Sequence, residues 1–434
     1  MKIGFVCLPV SGHLNPMTAL ARRLQARGNE VVFIGIPDAE ATVRAADLNF
    51  ASYCEEEFPL GSGSKHWAGV AKLHGHEAIK YMARAWSPKL LQAALQHLPK
   101  TLSDHGIDAL VLDTSHSFLQ LVPISLGMPY VHIWNILNID YSGKTPACFF
   151  SWPYDATPEG IARNINGLKG MGDWYAPLKA IAKTYAEENG LDIDWNSPAL
   201  TFSKLALISQ TPREFDFPNI DWPPQFHYAG PFHDGAGRQQ VPFPWEKLTG
   251  KPLIYSSMGT LLNGLEPVYR SILGAVEKLP DVQVVLSIGN NINPEDLGKI
   301  PANTIVVGRA PQIELLERAA LCITHAGLNT ALESLAQGVP MVAIPISFDQ
   351  PGVAARIAYH GVGEFIEVED LSAERLSELV RAVLESPNYR DKARYFQDVI
   401  AQTRGLDVAA EIVENAFGIT PADPAAKFAE TTRT

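Results

Sequence analysis

The stretch MKIGFVCLPVSGHLNPMTALARRLQARGNEVVFIGI, residues 1–36, decides the fold. Residues 3–10 are almost all apolar with no two-residue alternation, the pattern of a strand buried on both faces. A helix is predicted over 16–27: Asn15 can cap it, Pro16 suits the first helical position, and Gly28 can close it in a left-handed conformation. EVVFIGI at 30–36 reads as a second strand, so the stretch is a βαβ unit. Working outward, ALVLD at 109–113 and YVHIW at 130–134 continue the pattern, with helical segments between them. Strands alternating with helices imply a parallel sheet covered on both faces.

The pattern breaks over 146–200, an aromatic-rich insertion, and resumes with a strand at 204–211. GPFHDGAGRQQVPFPWEKLTGKP at 230–252 is rich in Gly, Pro and polar residues and reads as a linker. Beyond it the alternation restarts, with strands at 253–258, 282–289, 304–308, 321–325 and 339–346. The expected architecture is α/β, two Rossmann-like βαβ domains facing across a cleft: 1–230, a linker at 231–252, and 253–418. A helical stretch at 388–417 is expected to pack back on the first domain, and 419–434 to be a polar tail. Open α/β sheets bind ligands beyond the carboxyl ends of their strands, so the cleft is the expected site.

Composition bounds the function. The 434 residues are 46% hydrophobic and 19% charged, which excludes disorder, collagen and coiled coil. At about 150 residues per domain the length suits two or three domains. With 35 Lys+Arg against 47 Asp+Glu the net charge is −12, unsuited to a nucleic-acid partner. Four separated cysteines form no CxxC pair, so neither zinc nor a disulfide framework is expected and a reducing cytoplasm fits. The apolar start is too short for a signal sequence, and no apolar run approaches the roughly 18 residues of a membrane span.

The polar residues at strand ends carry the chemistry. His325, Gly327, Asn329, Thr330 and Glu333 lie where the strand LCIT gives way to the helix GLNTALESLAQG. A helix start offers unpaired N–H groups and a positive dipole end, which lets an acidic protein hold a diphosphate without a basic patch. Ser256, Ser257, Gly259 and Thr260 end another strand, and Asp349 and Gln350 open the helix after VAIPISF. In the first domain His13 follows the first strand, in a turn before the helix, and Asp113 ends another. A carboxylate that fixes an imidazole tautomer makes a base able to deprotonate a hydroxyl.

RAPQIELLERAALCITHAGLNTALESLAQGVPMVAIPISFDQPGVAARI, residues 309–357, resembles the nucleotide-sugar signature of the family 1 UDP-glycosyltransferases. GHLNP at 12–16 is similar to that family's catalytic-histidine motif, and Gly230-Pro231 is typical of it. FDQPGVAARIAYHGVG and VVFIGIPDAE are closest to its bacterial zeaxanthin glucosyltransferase-like branch. The resemblance implies a GT-B fold with an N-terminal acceptor-binding and a C-terminal UDP-sugar-binding domain. It implies an inverting, metal-independent transfer of a hexose, glucose by analogy, from a UDP-sugar to a hydroxyl of a hydrophobic small molecule such as a carotenoid, flavonoid or other phenol. UDP-glucose is then a donor substrate and no cofactor is expected.

By the same resemblance His13 is the base and Asp113 its partner; Gln312, with neighbouring backbone at Ala310, lies near uracil, and Glu333 on the ribose. Thr260, His325, Asn329 and Thr330 surround the diphosphate, with Ser257 and Gly327 as the close-approach residues at the same two strand ends, and Asp349 and Gln350 meet sugar hydroxyls. Many members stack a Trp on uracil where this chain has Arg309, whose guanidinium plane can stack instead. Leu328 replaces the Trp of the plant signature.

Trp67, Trp86, Phe118, Trp134, Phe149 and Trp152 are candidate walls of the acceptor pocket. Asp192-Ile193-Asp194 matches a manganese-binding DxD but sits in the insertion, and GSGSK at 61–65 lacks P-loop spacing; both are expected to be loops. Two other readings stay open: a UDP-sugar epimerase of the same fold, and a sugar-nucleotide or lipid-binding protein without chemistry. A monomer is expected, with peripheral membrane contact through 146–175 if the acceptor is a carotenoid.

Overall fold

The computed structural model describes residues 1–197, 201–233, 235 and 241–420. The expected tail from 421 onward and part of the linker lie outside these residues. Two parallel sheets organise the chain. The first holds β1 (Lys2–Val6), β2 (Glu30–Gly35), β3 (Asn49–Ser52), β4 (Ala109–Asp113), β5 (Tyr130–Trp134), β6 (Leu207–Ser209) and β7 (Phe226–Tyr228), in the order 3-2-1-4-5-6-7. The second holds β8 (Leu253–Ser257), β9 (Gln283–Ser287), β10 (Thr304–Val307), β11 (Ala319–Thr324), β12 (Met341–Ala343) and β13 (Gly363–Phe365), in the order 10-9-8-11-12-13.

Each sheet reverses its winding once, between β1 and β4 and between β8 and β11. These switch points are where helices on opposite faces diverge and leave a crevice at the strands' carboxyl ends. β4 and β9 are buried at every residue, as strands covered by helices on both faces must be. The short strands β3, β7 and β13 did not stand out in the sequence, because three or four residues are too few to establish a period.

The first βαβ unit differs in detail from its sequence reading. β1 stops at Val6, and the helix runs Ser11–Ala26 with Val10 at its N-cap, so Asn15 caps nothing and Pro16 lies inside the helix. His13 is therefore in the first helical turn rather than in a preceding loop. Gly28 does close the helix with φ +97°: its N–H bonds to the Gln25 carbonyl at 2.9 Å and that of Asn29 to Leu24 at 3.1 Å. The insertion contains two helices, Pro158–Gly172 and Ala176–Glu188. GSGSK is not a loop either, since Ser62–Val70 is helical and the Asp38 carboxylate accepts from the Gly61 and Gly63 N–H groups.

The two halves are joined closely. Helix Gly405–Ala416 lies against helix Ser11–Ala26, where Glu414 accepts from Arg27 at 2.7 Å and Asn29 at 2.8 Å. Its Leu406, Ala409, Ala410 and Val413 share a core with Ile3, Phe5 and Leu20. Helix Gln350–Tyr359, from the second half, meets the first half at Cys148, whose carbonyl accepts from the Gly352 N–H at 2.8 Å. A Cβ at Gly352 would stand 2.6 Å from the Cys148 Cα, so only glycine permits this approach.

Candidate active site

A cavity of about 860 Å³ opens between the sheets, lined from one side by His13, Ser115, His116 and Asn135 and from the other by Ser257, Thr260, His325 and Asn329. His13 Nδ1 lies 2.7 Å from Asp113 Oδ2. The Asp113 carboxylate also accepts from the Ser115 N–H at 3.0 Å and the Leu8 N–H at 3.3 Å, which locks its orientation. Burial pushes the Asp113 carboxyl up, but the charge and hydrogen bond of His13 and the two backbone donors outweigh it, and the group sits below the usual carboxylate range. For His13 burial pulls the imidazole down, while the charge and hydrogen bond of Asp113, with Asp349 beyond, overcome it and raise the pKa above the ordinary histidine value. An ionised Asp113 holds the proton on Nδ1 and leaves Nε2 as the basic atom.

This fixes a pH dependence. His13 accepts a proton only when neutral, so kcat/KM rises with pH through a pKa above about 6.5. In Asp113→Asn the charge that raises it is gone: the rising limb moves to lower pH while the plateau falls, because the tautomer is no longer fixed. A pH–rate profile of both proteins checks this, and an unmoved limb would mean that another group titrates.

On the opposite wall, helix Leu328–Ala336 starts at Gly327 with no side-chain cap for its first-turn N–H groups, and Gly327, Leu328, Asn329 and Thr330 line the cavity. Asn329 and Thr330 are thus not spent on capping. The His325 imidazole is wedged between glycines: a Cβ at Gly259 (φ +74°) or at Gly327 would stand 2.5 Å from its Nε2. Burial pulls its pKa down to about 4, so at neutral pH it is an uncharged hydrogen-bonding group. Ala326 (φ +62°) and Phe348 (φ +56°) are left-handed residues placed just before this helix start and before Asp349. Such strain persists where the surroundings force the loop's shape.

Asp349 and Gln350 line the cavity, but part of each is engaged. Asp349 Oδ2 accepts from the Leu137 N–H at 3.0 Å, and Gln350 Oε1 accepts from the N–H groups of Ile346 at 2.8 Å and Ser347 at 3.0 Å. What remains for a ligand is one carboxylate oxygen and the Gln350 amide NH2. Gln312 lines the cavity and donates to Glu333 at 2.7 Å; Glu333 itself is buried behind it and, like Arg309 and Ala310, lies outside the lining.

One contact ties the walls together. Pro16 has no N–H, so inside its helix it leaves the Gly12 carbonyl without the usual donor four residues on. Asn329 Nδ2 donates to that carbonyl at 2.8 Å, which sets the turn of His13 against the start of the facing helix.

Comparison with known proteins identifies the family of the chain. An NDP-glycosyltransferase of Bacillus licheniformis is 32% identical over 415 residues, covering 94% of this chain and 95% of its own. The chain belongs to the family 1 UDP-glycosyltransferases. The model of the UDP-glucoronosyl and UDP-glucosyl transferase family matches residues 222–406 of this glycosyltransferase. A zeaxanthin glucosyltransferase of Pantoea ananas is 27% identical over 417 residues, 94% of each chain. The fold is that of the GT-B glycosyltransferases: the glycosyltransferase of kitacinnamycin superposes with a TM-score of 0.72 at 22% identity, over 96% of this chain and 98% of its own. Reading the chain as a binding protein without chemistry is therefore set aside.

Of the predicted pocket aromatics in this glycosyltransferase, Trp67, Phe118, Trp134 and Phe149 line the cavity. Trp86 and Trp152 do not. Trp86 packs behind Trp67, with ring centroids 4.9 Å apart, and Trp152 stacks on Phe150 at 4.0 Å under the Arg163 guanidinium. Asp194 reaches the cavity lining from the insertion as an exposed residue. Cys54, Glu57 and His97 form a group of metal-capable atoms within 4.8 Å of one another, away from the cavity lining. Sequence reasoning missed His116 and Asn135, although each follows a strand end as closely as residues it did select. Among the described residues no helix is long and apolar enough to cross a membrane.

Proposed function

We propose that this enzyme transfers a hexose, glucose, from a UDP-sugar to a hydroxyl of a hydrophobic small molecule, with inversion at the anomeric carbon. The observation that carries the reading is His13, backed by Asp113 at 2.7 Å, lining one cavity with His325, Asn329 and Thr330. His13 Nε2 takes the proton from the acceptor hydroxyl as its oxygen attacks the anomeric carbon from the face opposite the diphosphate. The bond to the diphosphate breaks and UDP leaves. First-turn N–H groups of helix Leu328–Ala336, with His325 and Thr330, stabilise the charge that grows on the leaving oxygen. The free oxygen of Asp349 and the Gln350 amide hold sugar hydroxyls.

The zeaxanthin glucosyltransferase relative favours a carotenoid among acceptors, and the NDP-glycosyltransferase leaves the nucleotide broad. Exposed Arg309, in place of a stacking Trp, supports loose selection of the base.

Purified protein with UDP-glucose and a panel of carotenoid, flavonoid, sterol and macrolide acceptors tests the reading. The expected product carries one added hexose by mass, with β configuration by NMR from the α-linked donor. Retention of configuration would overturn the inverting mechanism, and donor epimerisation without any acceptor would support the epimerase instead.

A further inference from the structure

A second cluster of chemistry-bearing side chains lies in the first half of the chain, outside the cavity lining. Cys54, Glu57 and His97 each bring one metal-capable atom within 4.8 Å of the others, and among the described residues no other three His, Cys, Asp or Glu side chains do so. Two separate elements place them. The turn after β3 is closed by the Phe58 N–H on the Cys54 carbonyl at 2.8 Å, which sets Cys54 and Glu57 on one short loop, and His97 belongs to helix Ser87–Asp104. His97 Nε2 lies 2.7 Å from Glu57 Oε1, a pairing 40 positions apart that no sequence spacing announces. Cys54 adopts φ +58°, a left-handed conformation that costs a non-glycine residue and that its surroundings must hold.

The donor set names the ion. Sulfur, imidazole nitrogen and carboxylate oxygen together are the ligands of zinc, a borderline-soft cation, whereas calcium and magnesium take oxygen ligands. Zinc bonds of about 2.0–2.3 Å at tetrahedral angles put ligand atoms roughly 3.3–3.6 Å apart. Three atoms already inside 4.8 Å reach that by small side-chain rotations: His97 and Glu57 part slightly from hydrogen-bonding distance, and the sulfur closes on both. The movement is open to them, because the His97 and Glu57 side chains are 37% and 40% exposed while Cys54 is buried. The same exposure leaves room for a water as fourth ligand. A thiolate and a carboxylate cancel the ion's two charges, and the exposed Glu55 and Glu56 on the same turn draw cations to it.

We propose that Cys54, Glu57 and His97 bind one zinc ion, completed by water, and that the ion braces the turn after β3 against helix Ser87–Asp104. On binding, the Cys54 thiol gives its proton to solvent, and His97 carries its own on Nδ1 while Nε2 meets the ion in place of Glu57. The same helix lends Ser87, Leu90 and Leu91 to the cavity wall, and Phe58, at the end of the turn, packs edge-on against Trp86 with ring centroids 6.2 Å apart. The ion is thus structural, behind the acceptor wall, and no step of the proposed transfer passes through it. The site stands apart from the transferase reading, so neither falls with the other.

The test titrates the full chain, free of any histidine tag and stripped with chelator, with zinc, magnesium and cobalt chlorides. Calorimetry is expected to give one zinc per chain, and excess zinc to raise the thermal midpoint by about 2–5 °C where magnesium leaves it level. Cobalt should bring the thiolate-to-metal absorption that only sulfur ligation produces. In His97→Gln and in Glu57→Gln, both changes at part-exposed side chains, zinc affinity falls about tenfold or more and the midpoint shift is lost, while transfer rates measured without metal stay at the parent's level. In Cys54→Ser the cobalt absorption disappears although Cys7, Cys148 and Cys322 remain as free thiols. Should Cys54→Ser not fold, the other two variants carry the test. No zinc bound by the parent, an unmoved midpoint, or an affinity that survives in His97→Gln would overturn the proposal.

Discussion

In His13→Ala, kcat/KM for transfer to an aliphatic alcohol is expected to fall on the order of a thousandfold or more, the usual contribution of a positioned general base. The dissociation constant of UDP-glucose should hardly change. The groups proposed to hold the donor, His325, Asn329, Thr330 and Asp349, come from the second half of the chain, whereas His13 comes from the first and is anchored by Asp113. Strongly acidic phenols should lose much less, since they ionise near neutral pH without a base. Initial rates over acceptors of graded acidity, with donor affinity by calorimetry, give the comparison. Near-normal turnover of alcohols by the variant would remove His13 from the mechanism.

Arg356→Met should be the most destabilising single change away from the cavity, by about 3–5 kcal/mol. The Arg356 guanidinium donates to Asp216 Oδ1 at 2.5 and 3.0 Å, and the two side chains are 2% and 1% exposed. Asp216 also accepts from the Tyr228 hydroxyl at 2.8 Å, and the guanidinium lies 4.2 Å from the Phe217 ring. Removal of the arginine strands a carboxylate where no solvent reaches it. In Arg356→Met/Asp216→Leu the charge is gone as well, and most of the loss should return. Urea unfolding midpoints of the parent, both single variants and the double variant complete the cycle, and a double variant no better than Arg356→Met would disprove this account. Arg356 also sits on the helix that begins at Gln350, so the single variant should raise the donor KM more than it lowers kcat.

The sequence alone carried the parts of the fold that are local. Alternating buried strands and helices, each encoded within about twenty residues, gave the βα units. A strand end could be placed where the apolar run stops at a polar residue, as at Asp113, whereas β1 ends at Val6 although its apolar run continues to Val10, and β8 ends at Ser257 before Met258. The first helix was misplaced because Asn15-Pro16 is a strong start signal, whereas the real N-cap, Val10, offers no side-chain cap at all. The aromatic residues show the limit most plainly. Trp86 and Trp134 are equally buried and read alike in the sequence, yet one packs behind Trp67 and the other borders the cavity.

What the sequence determined by itself was the pair of α/β units and the polar residues at their strand ends, since both follow from short-range periodicity and chain stereochemistry. Only the tertiary structure decided which of those residues meet. His13 and Asp113 are 100 positions apart, Arg356 and Asp216 140, and Asn329 and Gly12 317. No local preference encodes such pairings; they follow from strand order and from how the two sheets pack.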